Sequence, residues 1–497
     1  MRAAETVPDT TRTTCARGSR AGRDLYGKAK NTEQTIQYID CLLYPLYPHT
    51  SCVHSYDERL TSLVFDYMKD RLSLDPVPLD NPGVKDKLEA ALTGIISPGG
   101  TDPEKVLDLY ADQLAPAVIS ADSPRFLSFI PAAPTKAALL FDMVVSCASL
   151  QGISWLEASG AIAAENQVLR LLADLAGMPA SAGGCFVSGG SAANLSALVV
   201  ARDTARRRLP EGRLRVAVSD QAHSSISNTL RIIDVDALVV PSRDHRLTGT
   251  SLRAALEADP DPSNVIAVVA TSGTTNAGII DDLAGIAEVA RERDLWFHVD
   301  GAYGGAGLFA PSVRHRYAGI EHADSFIVDP HKWLFAPFDC AALLYREPRL
   351  ARAVHTQDAS YLDVLHTEGD EWNPTDYAYH LTRRARGLPL WFSLAVNGTD
   401  AYTEAIEKGL RLARETAALI DRTDHLELIR EPELSAVLFR RTGWTSRDYH
   451  DWSERLLAGQ IGFVTPTGWE GETVARFAFL HPGTSMEIVR EILDTMA

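Results

Sequence analysis

Between residues 265 and 345 short apolar runs alternate with helical segments, and no other feature restricts the fold of this chain as strongly. Val265 to Val269, Leu295 to Asp300 and Phe326 to Val328 are too short for buried helices and rich in β-branched or aromatic residues, so they read as buried strands. Leu283–Arg293, between the first two, has helical spacing. Such alternation predicts an α/β fold with a mainly parallel central sheet. Arg215–Ser219, Gly184–Val187 and Ala341–Tyr345 add three further strands of the same kind. Ligands of such sheets collect outside the carboxyl ends of the strands, so the residues that close each strand are the ones to read for chemistry.

Asp300 closes one strand. Lys332 lies just beyond another, which Pro330 ends because proline cannot donate to a ladder. The Trp-Leu-Phe-Ala-Pro-Phe stretch after Lys332 predicts apolar surroundings, where desolvation favours a neutral amine that attacks carbonyls. A lysine that snorkels to water is the alternative this stretch leaves open. If strands 295–300 and 325–328 are parallel neighbours, Asp300 and Lys332 emerge at one sheet edge. That pair suits pyridoxal 5'-phosphate (PLP). The amine can hold the cofactor aldehyde as an imine, and the carboxylate can keep the pyridine nitrogen protonated so that the ring accepts electrons from a breaking bond.

Three more strand ends carry polar turns. Ser188-Gly189-Gly190-Ser191 leads a strand into a helix, where glycines and free N–H groups can cradle a phosphate, though Ser191 serves equally as a plain N-cap. His223 follows the strand 215–219, and Thr274 and Thr275 follow 265–269, where capping is as good a reading as ligand contact. Upstream, the proline-rich loop 121–136 carries Phe129, Ile130 and Pro131, which suit the wall of a pocket or an ordinary core loop.

Taken together, the stretches around 190, 223, 274, 300 and 332 resemble the group II PLP-dependent amino-acid decarboxylases, most closely the bacterial relatives of aromatic-L-amino-acid decarboxylase. The resemblance runs from about residue 55 to the C-terminus, and Asp329-Pro330-His331-Lys332-Trp333 is its most specific stretch. It implies PLP fold type I, aspartate-aminotransferase-like, with an N-terminal helical arm, a small C-terminal α+β domain and a homodimer whose active site lies at the subunit interface. It also implies residue roles. Lys332 binds PLP, Asp300 pairs with its ring nitrogen, and His223 stacks on the ring beside the substrate carboxylate. Gly190, Ser191, Thr275, Ala302, His331 and Asp329 contact the cofactor. Phe129, Ile130 and Pro131 form the side-chain pocket. Tyr361 reaches in from a mobile loop to protonate the product carbanion, which favours release of the amine and CO2. Asp329 departs from the pattern, since animal aromatic decarboxylases carry asparagine there. Decarboxylation-coupled oxidative deamination to an aldehyde, and a non-catalytic binding protein on the same fold, are the alternatives.

The remaining sequence sets bounds. At 497 residues and 45% hydrophobic content the chain can bury a large core. A formal charge of −17 argues against the basic surface that nucleic acid or anionic membrane requires, and points to small molecules as partners. The six cysteines show no metal or disulfide spacing, so no metal site is expected. No apolar run approaches a membrane span and the N-terminus lacks a signal-peptide core, so a cytoplasmic enzyme is expected. Residues 1–50 read as a flexible tail, 51–120 as a helical dimerisation segment, 121–397 as the cofactor-binding domain and 398–497 as the small domain. Within these, Leu60, Leu63, Val64 and Tyr67 mark one helix and a second begins near Pro103. Residues 356–376 read as either a lid or a disordered loop, and Arg383, Arg384 and Arg386 as salt-bridge partners or a solvated helix start rather than an anion site. A long helix from Gly398 and strands at Ala436–Arg440 and Val474–Phe479 complete the C-terminal part.

Overall fold

The computed structural model describes residues 53–130, 133–209, 211–365 and 371–497. The expected tail over 1–50 and Pro131 of the expected pocket lie outside the described residues. All regular elements among those residues fall within 57–497.

Seven strands make the central sheet: β1 (Gly183–Val187), β2 (Arg215–Ser219), β3 (Asp236–Val240), β4 (Val265–Thr271), β5 (Trp296–Asp300), β6 (Ser325–Val328) and β7 (Ala341–Tyr345). Their order is β1-β7-β6-β5-β4-β2-β3. The pairs β2–β3, β2–β4, β4–β5 and β5–β6 are parallel, and β7 alone runs against its neighbours. Every residue of β4, β5, β6 and β7 is buried, which is why these strands read as unbroken apolar runs. Edge strand β3 leaves most of its residues exposed, although four of its five residues are apolar; the sequence reading did not single it out.

Among the described residues thirteen α-helices accompany the sheets: α1 (Glu58–Ser73), α2 (Lys85–Leu92), α3 (Pro103–Leu109), α4 (Lys136–Cys147), α5 (Trp155–Leu175), α6 (Gly190–Arg206), α7 (Ser224–Ile232), α8 (Gly249–Ala258), α9 (Leu283–Glu292), α10 (Pro348–His355), α11 (Leu388–Ile420), α12 (Ser446–Ala458) and α13 (Met486–Asp494). Side chains of the sheet alternate between two cores. Phe297 and Val299 pack with α5, α8 and α9, whereas Trp296 and Ile327 pack with α6, α7 and α10. Helices lie on both faces, as a parallel sheet buried on both sides demands. The N-terminal helices differ. Asp57 and Asp102 cap α1 and α3, yet α1, α2 and α3 contain no buried residue.

Past the sheet, α11 begins ten residues before the expected Gly398, which instead marks a break within it at φ 78°. The C-terminal strands β8 (Leu426–Leu428), β9 (Ala436–Arg441), β10 (Thr467–Trp469) and β11 (Glu472–Ala478) form an antiparallel sheet in the order β10-β11-β9-β8. Its core combines Phe439, Phe477 and Trp452 with the second half of α11. The arginine cluster at 383–386 forms salt bridges. Arg383 is wholly buried and grips both oxygens of Glu165 at 2.8 Å, while Arg384 and Arg386 reach Asp142 and Asp339. The Arg383–Glu165 pair ties α5 to the entry of α11, where Gly387 N–H also donates to Glu165. Removing one partner of such a pair costs on the order of 3–5 kcal/mol because the other stays charged and buried.

Candidate active site

Turns at the carboxyl ends of five strands meet in one cavity of about 500 Å³. After β1 come Ser188, Gly190 and Ser191; after β2, Gln221 and His223; at and after β4, Thr271, Gly273 and Thr275; at and after β5, Asp300, Ala302 and Tyr303; after β6, Asp329, His331 and Lys332. The volume falls in the range of small-molecule sites, and its position follows the rule for open α/β sheets.

Sheet register explains the convergence. Asp300 pairs with Thr271 on β4 and with Ile327 on β6, so the ends of all three strands lie level. Pro330 and the turn after β6, closed by Lys332 N–H to Asp329 O at 2.9 Å, bring Lys332 back over that edge. At Gly190, the first residue of α6, an added Cβ would meet Asp329 Oδ2 at 3.0 Å and the Ala302 methyl at 3.1 Å. The turn is therefore as close to the β5 and β6 ends as a backbone can come. Gly273 has φ 115°, and a Cβ there would fall 2.8 Å from Gly304, so a side chain is excluded on both counts.

Two charged groups are well anchored. Asp300, buried, accepts from Ala302 N–H at 3.1 Å on Oδ1 and from Asn194 Nδ2 at 3.0 Å on Oδ2. Lys332 Nζ lies 2.9 Å from Asp329 Oδ2. The sequence leads one to expect an apolar setting for this amine, and the structure instead sets a buried carboxylate against it. Asp329 Oδ1 has no hydrogen-bond partner. Burial pushes the His331 imidazole below its ordinary range, so it is neutral near pH 7 and not an ion-pair partner of Asp329, 3.6 Å away. Its Nδ1 accepts from Cys340 N–H at 2.9 Å, which leaves the proton on Nε2.

Of the residues expected at the site, Lys332, Asp300, His223, Gly190, Ser191, Thr275, Ala302, His331 and Asp329 line the cavity. Phe129 and Ile130 do not. Phe129 adopts φ 51°, is 61% exposed and sets its ring against Phe126 and Phe463, while Ile130 packs on the main core. The backbone of Tyr361 belongs to the 3-10 turn Ser360–Leu365, and its side chain lies outside the described residues. Asn194, Ser225 and His298 escape the sequence reading although all three are buried and bonded to this site. Their signal is polarity in the wrong place: an imidazole in the strand Trp-Phe-His-Val-Asp, and an amide one helical turn beyond Gly190 on the sheet-facing side of α6.

These residues fit PLP on two observations. A nucleophilic amine and a hydrogen-bonded carboxylate line one cavity, and a glycine turn opens a helix beside them. Comparison with known proteins agrees. Residues 96–442 match the pyridoxal-dependent decarboxylase conserved domain. The aromatic-L-amino-acid decarboxylase of Bacillus atrophaeus is 29% identical over 448 residues, 88% of this chain and 92% of that protein. The L-2,4-diaminobutyrate decarboxylase of Rhizobium meliloti (strain 1021) is 33% identical over 375 residues, 72% of this chain and 74% of that one. The crystal structure of Oryza sativa TDC with PLP and tryptamine matches with a TM-score of 0.81 at 26% identity, covering 88% of this chain and 98% of that chain. The chain therefore belongs to the pyridoxal-dependent decarboxylase family and is a carboxy-lyase that uses PLP to decarboxylate an amino acid.

Proposed function

We propose that this enzyme converts an aromatic L-amino acid to the corresponding amine and CO2, as a cytoplasmic homodimer. The meeting of Lys332 and Asp300 in one cavity carries the assignment of its machinery. Lys332 Nζ would hold the cofactor covalently, Asp300 would pair with its ring nitrogen, and Gly190 and Ser191 would hold its phosphate at the start of α6. His223 would pack on the ring beside the substrate carboxylate, with Thr275, Ala302 and His331 completing the contacts. When bound, PLP supplies an electron-poor ring that takes up the electron pair of the breaking C–C bond. The protein's task is to turn the substrate carboxylate out of the ring plane, to exclude water, and to deliver a proton from Tyr361 to the carbon that lost CO2. Phe129, Ile130 and Pro131 are assigned to the substrate side chain. The exposed Phe129 ring supports a pocket completed by a second subunit, and so do three N-terminal helices with no fully buried residue in their own chain.

Support for an aromatic substrate comes from the aromatic-L-amino-acid decarboxylase relative and from the tryptamine that accompanies PLP in the Oryza sativa structure. The diaminobutyrate decarboxylase relative names the competitor. A panel of L-tryptophan, L-tyrosine, L-phenylalanine, L-2,4-diaminobutyrate and L-glutamate, assayed for CO2, amine and peroxide, decides the matter. The expected result is CO2 and amine in equal amounts from the aromatic members, without peroxide. Turnover of diaminobutyrate alone, or peroxide matching CO2, would replace this reading.

Asp329 gives a separate expectation. Its carboxylate lies against the Gly190 turn, so it would stand beside the phosphate that this turn is assigned to hold. Like charges at contact range repel by about 1–4 kcal/mol between water and a partly buried site. Asp329→Asn is therefore expected to lower the Kd for PLP about tenfold or more, read by absorbance titration of the cofactor-free protein. An unchanged or higher Kd would mean that this carboxylate does not face the phosphate.

A further inference from the structure

A chain of buried polar groups runs beneath the cavity, and its ends fix its direction. The Trp296 indole can only donate, and it donates to Ser325 Oγ at 2.8 Å. Ser325 Oγ stands 2.7 Å from His298 Nδ1, and His298 Nε2 stands 2.8 Å from Asn194 Oδ1. Burial pushes the His298 imidazole down to about 4 against the pull of the Asp300 charge, so the ring is neutral near pH 7 and carries one proton. At the other end, the Asp300 carboxylate can only accept. It takes one N–H of Asn194, whose second N–H goes to Ser225 Oγ, both at 3.0 Å.

Only one arrangement of hydrogens satisfies every link. The Ser325 hydroxyl has accepted from Trp296 and gives its hydrogen to His298 Nδ1. His298 therefore carries its proton on Nε2 and gives it to Asn194 Oδ1, which fixes the amide with its nitrogen toward Asp300 and Ser225. Ser225 Oγ, having accepted, gives its hydrogen to His223 Nδ1 at 2.9 Å. The Ser225 backbone N–H donates to the same nitrogen at 3.2 Å. His223 Nδ1 faces both donors with its one lone pair and so carries no hydrogen, which leaves the ring proton on Nε2.

Asn194 is the branch point. It is 1% exposed, sits on α6 one turn beyond Gly190, and spends both donors and its acceptor on this network. We propose that Asn194 is a positioning residue of the decarboxylation, holding Asp300 in place as an acceptor and, through Ser225, setting the tautomer of His223. The proposal rests on the roles given above to Asp300 and His223. A single amide orientation, locked from behind by His298, thereby arranges the two groups assigned to opposite parts of the cofactor. Bulk packing would not have needed a donor at both positions; a leucine would have filled the space.

The test uses the full chain with 15N-labelled histidine, His223 being assigned by difference from His223→Phe, together with PLP titration. In the wild type His223 is expected to show a proton on Nε2 and none on Nδ1. Asn194→Asp keeps the volume, removes both N–H donors and sets a second carboxylate beside Asp300. It is expected to weaken the preference of His223 for a proton on Nε2, which then rests on the Ser225 backbone N–H alone, and to raise the Kd for PLP about 10- to 100-fold, the scale of a lost hydrogen bond to a charged group. Ser225→Ala cuts only the His223 branch, so it should disturb the tautomer while the Kd for PLP changes less than about threefold; it also serves if Asn194→Asp does not fold. A wild-type His223 protonated on Nδ1, or a tautomer unchanged in both variants, overturns the proposal. So does a Kd for Asn194→Asp within about twofold of wild type. Asp300→Ala separates the two levels. If it weakens PLP binding while Asn194→Asp does not, the Asp300 assignment stands and only the positioning role fails; if neither does, the assignment of Asp300 to the ring nitrogen fails first.

Discussion

Replacing Asp300 with alanine is expected to lower kcat by about two to four decades while leaving the fold intact. Asp300 is buried at the end of β5, level with β4 and β6, and accepts hydrogen bonds on both oxygens. In its assigned role it faces the protonated ring nitrogen, and a buried cation left without its partner costs on the order of 3–5 kcal/mol. At about 1.4 kcal/mol per decade this gives the stated range, because the ring takes up charge only as the C–C bond breaks. Asp300→Asn is nearly isosteric and should lose almost as much, since it removes the charge. Asp300→Glu keeps the charge but lengthens the side chain, and should retain more. Steady-state kinetics with folding checked by circular dichroism reads all three. Near-normal turnover in Asp300→Ala would remove this residue from the ring nitrogen.

Lys332→Ala should abolish covalent retention of the cofactor and reduce turnover by at least about 10³-fold, within the range that positioned proton-transfer and nucleophilic groups contribute. Lys332→Arg is the more informative change. It keeps a cation beside Asp329, which the wild-type ammonium approaches to 2.9 Å, but it has no nucleophilic amine. It should therefore be as inactive as the alanine variant, although its local charge balance is preserved. Borohydride treatment of the PLP-loaded wild type, followed by peptide mapping, should place the label on the peptide that contains residue 332. A label elsewhere ends the assignment.

How much of this was legible in the sequence depended on burial. Strands β4 to β7 are covered on both faces, so their unbroken apolar runs marked them, and the residues that close β5 and follow β6 could be read as chemistry at a sheet edge. Strand β3 carries an apolar run that the sequence reading did not single out, and α2, with no buried residue, left no clear pattern. Lys332 and Asp300 stood out because their types and spacing fit one cofactor. Asn194 and His298 did not, because one polar residue in a helix or strand has too many ordinary explanations until its partners are known, and those partners come from α7, β5 and β6. Phe129 illustrates the opposite case: its loop looked like a pocket wall, but within one chain its backbone turns the ring outward.

The cavity draws on five separate strand ends and has no local remnant if the sheet comes apart. Any opening of the sheet scatters all its binding groups together, so only the assembled sheet can hold the cofactor. A ligand that binds only the folded form, present at about a hundredfold its Kd, deepens stability by about 2.7 kcal/mol. Cofactor-free molecules are therefore expected to be cleaved faster than PLP-loaded ones under limited proteolysis.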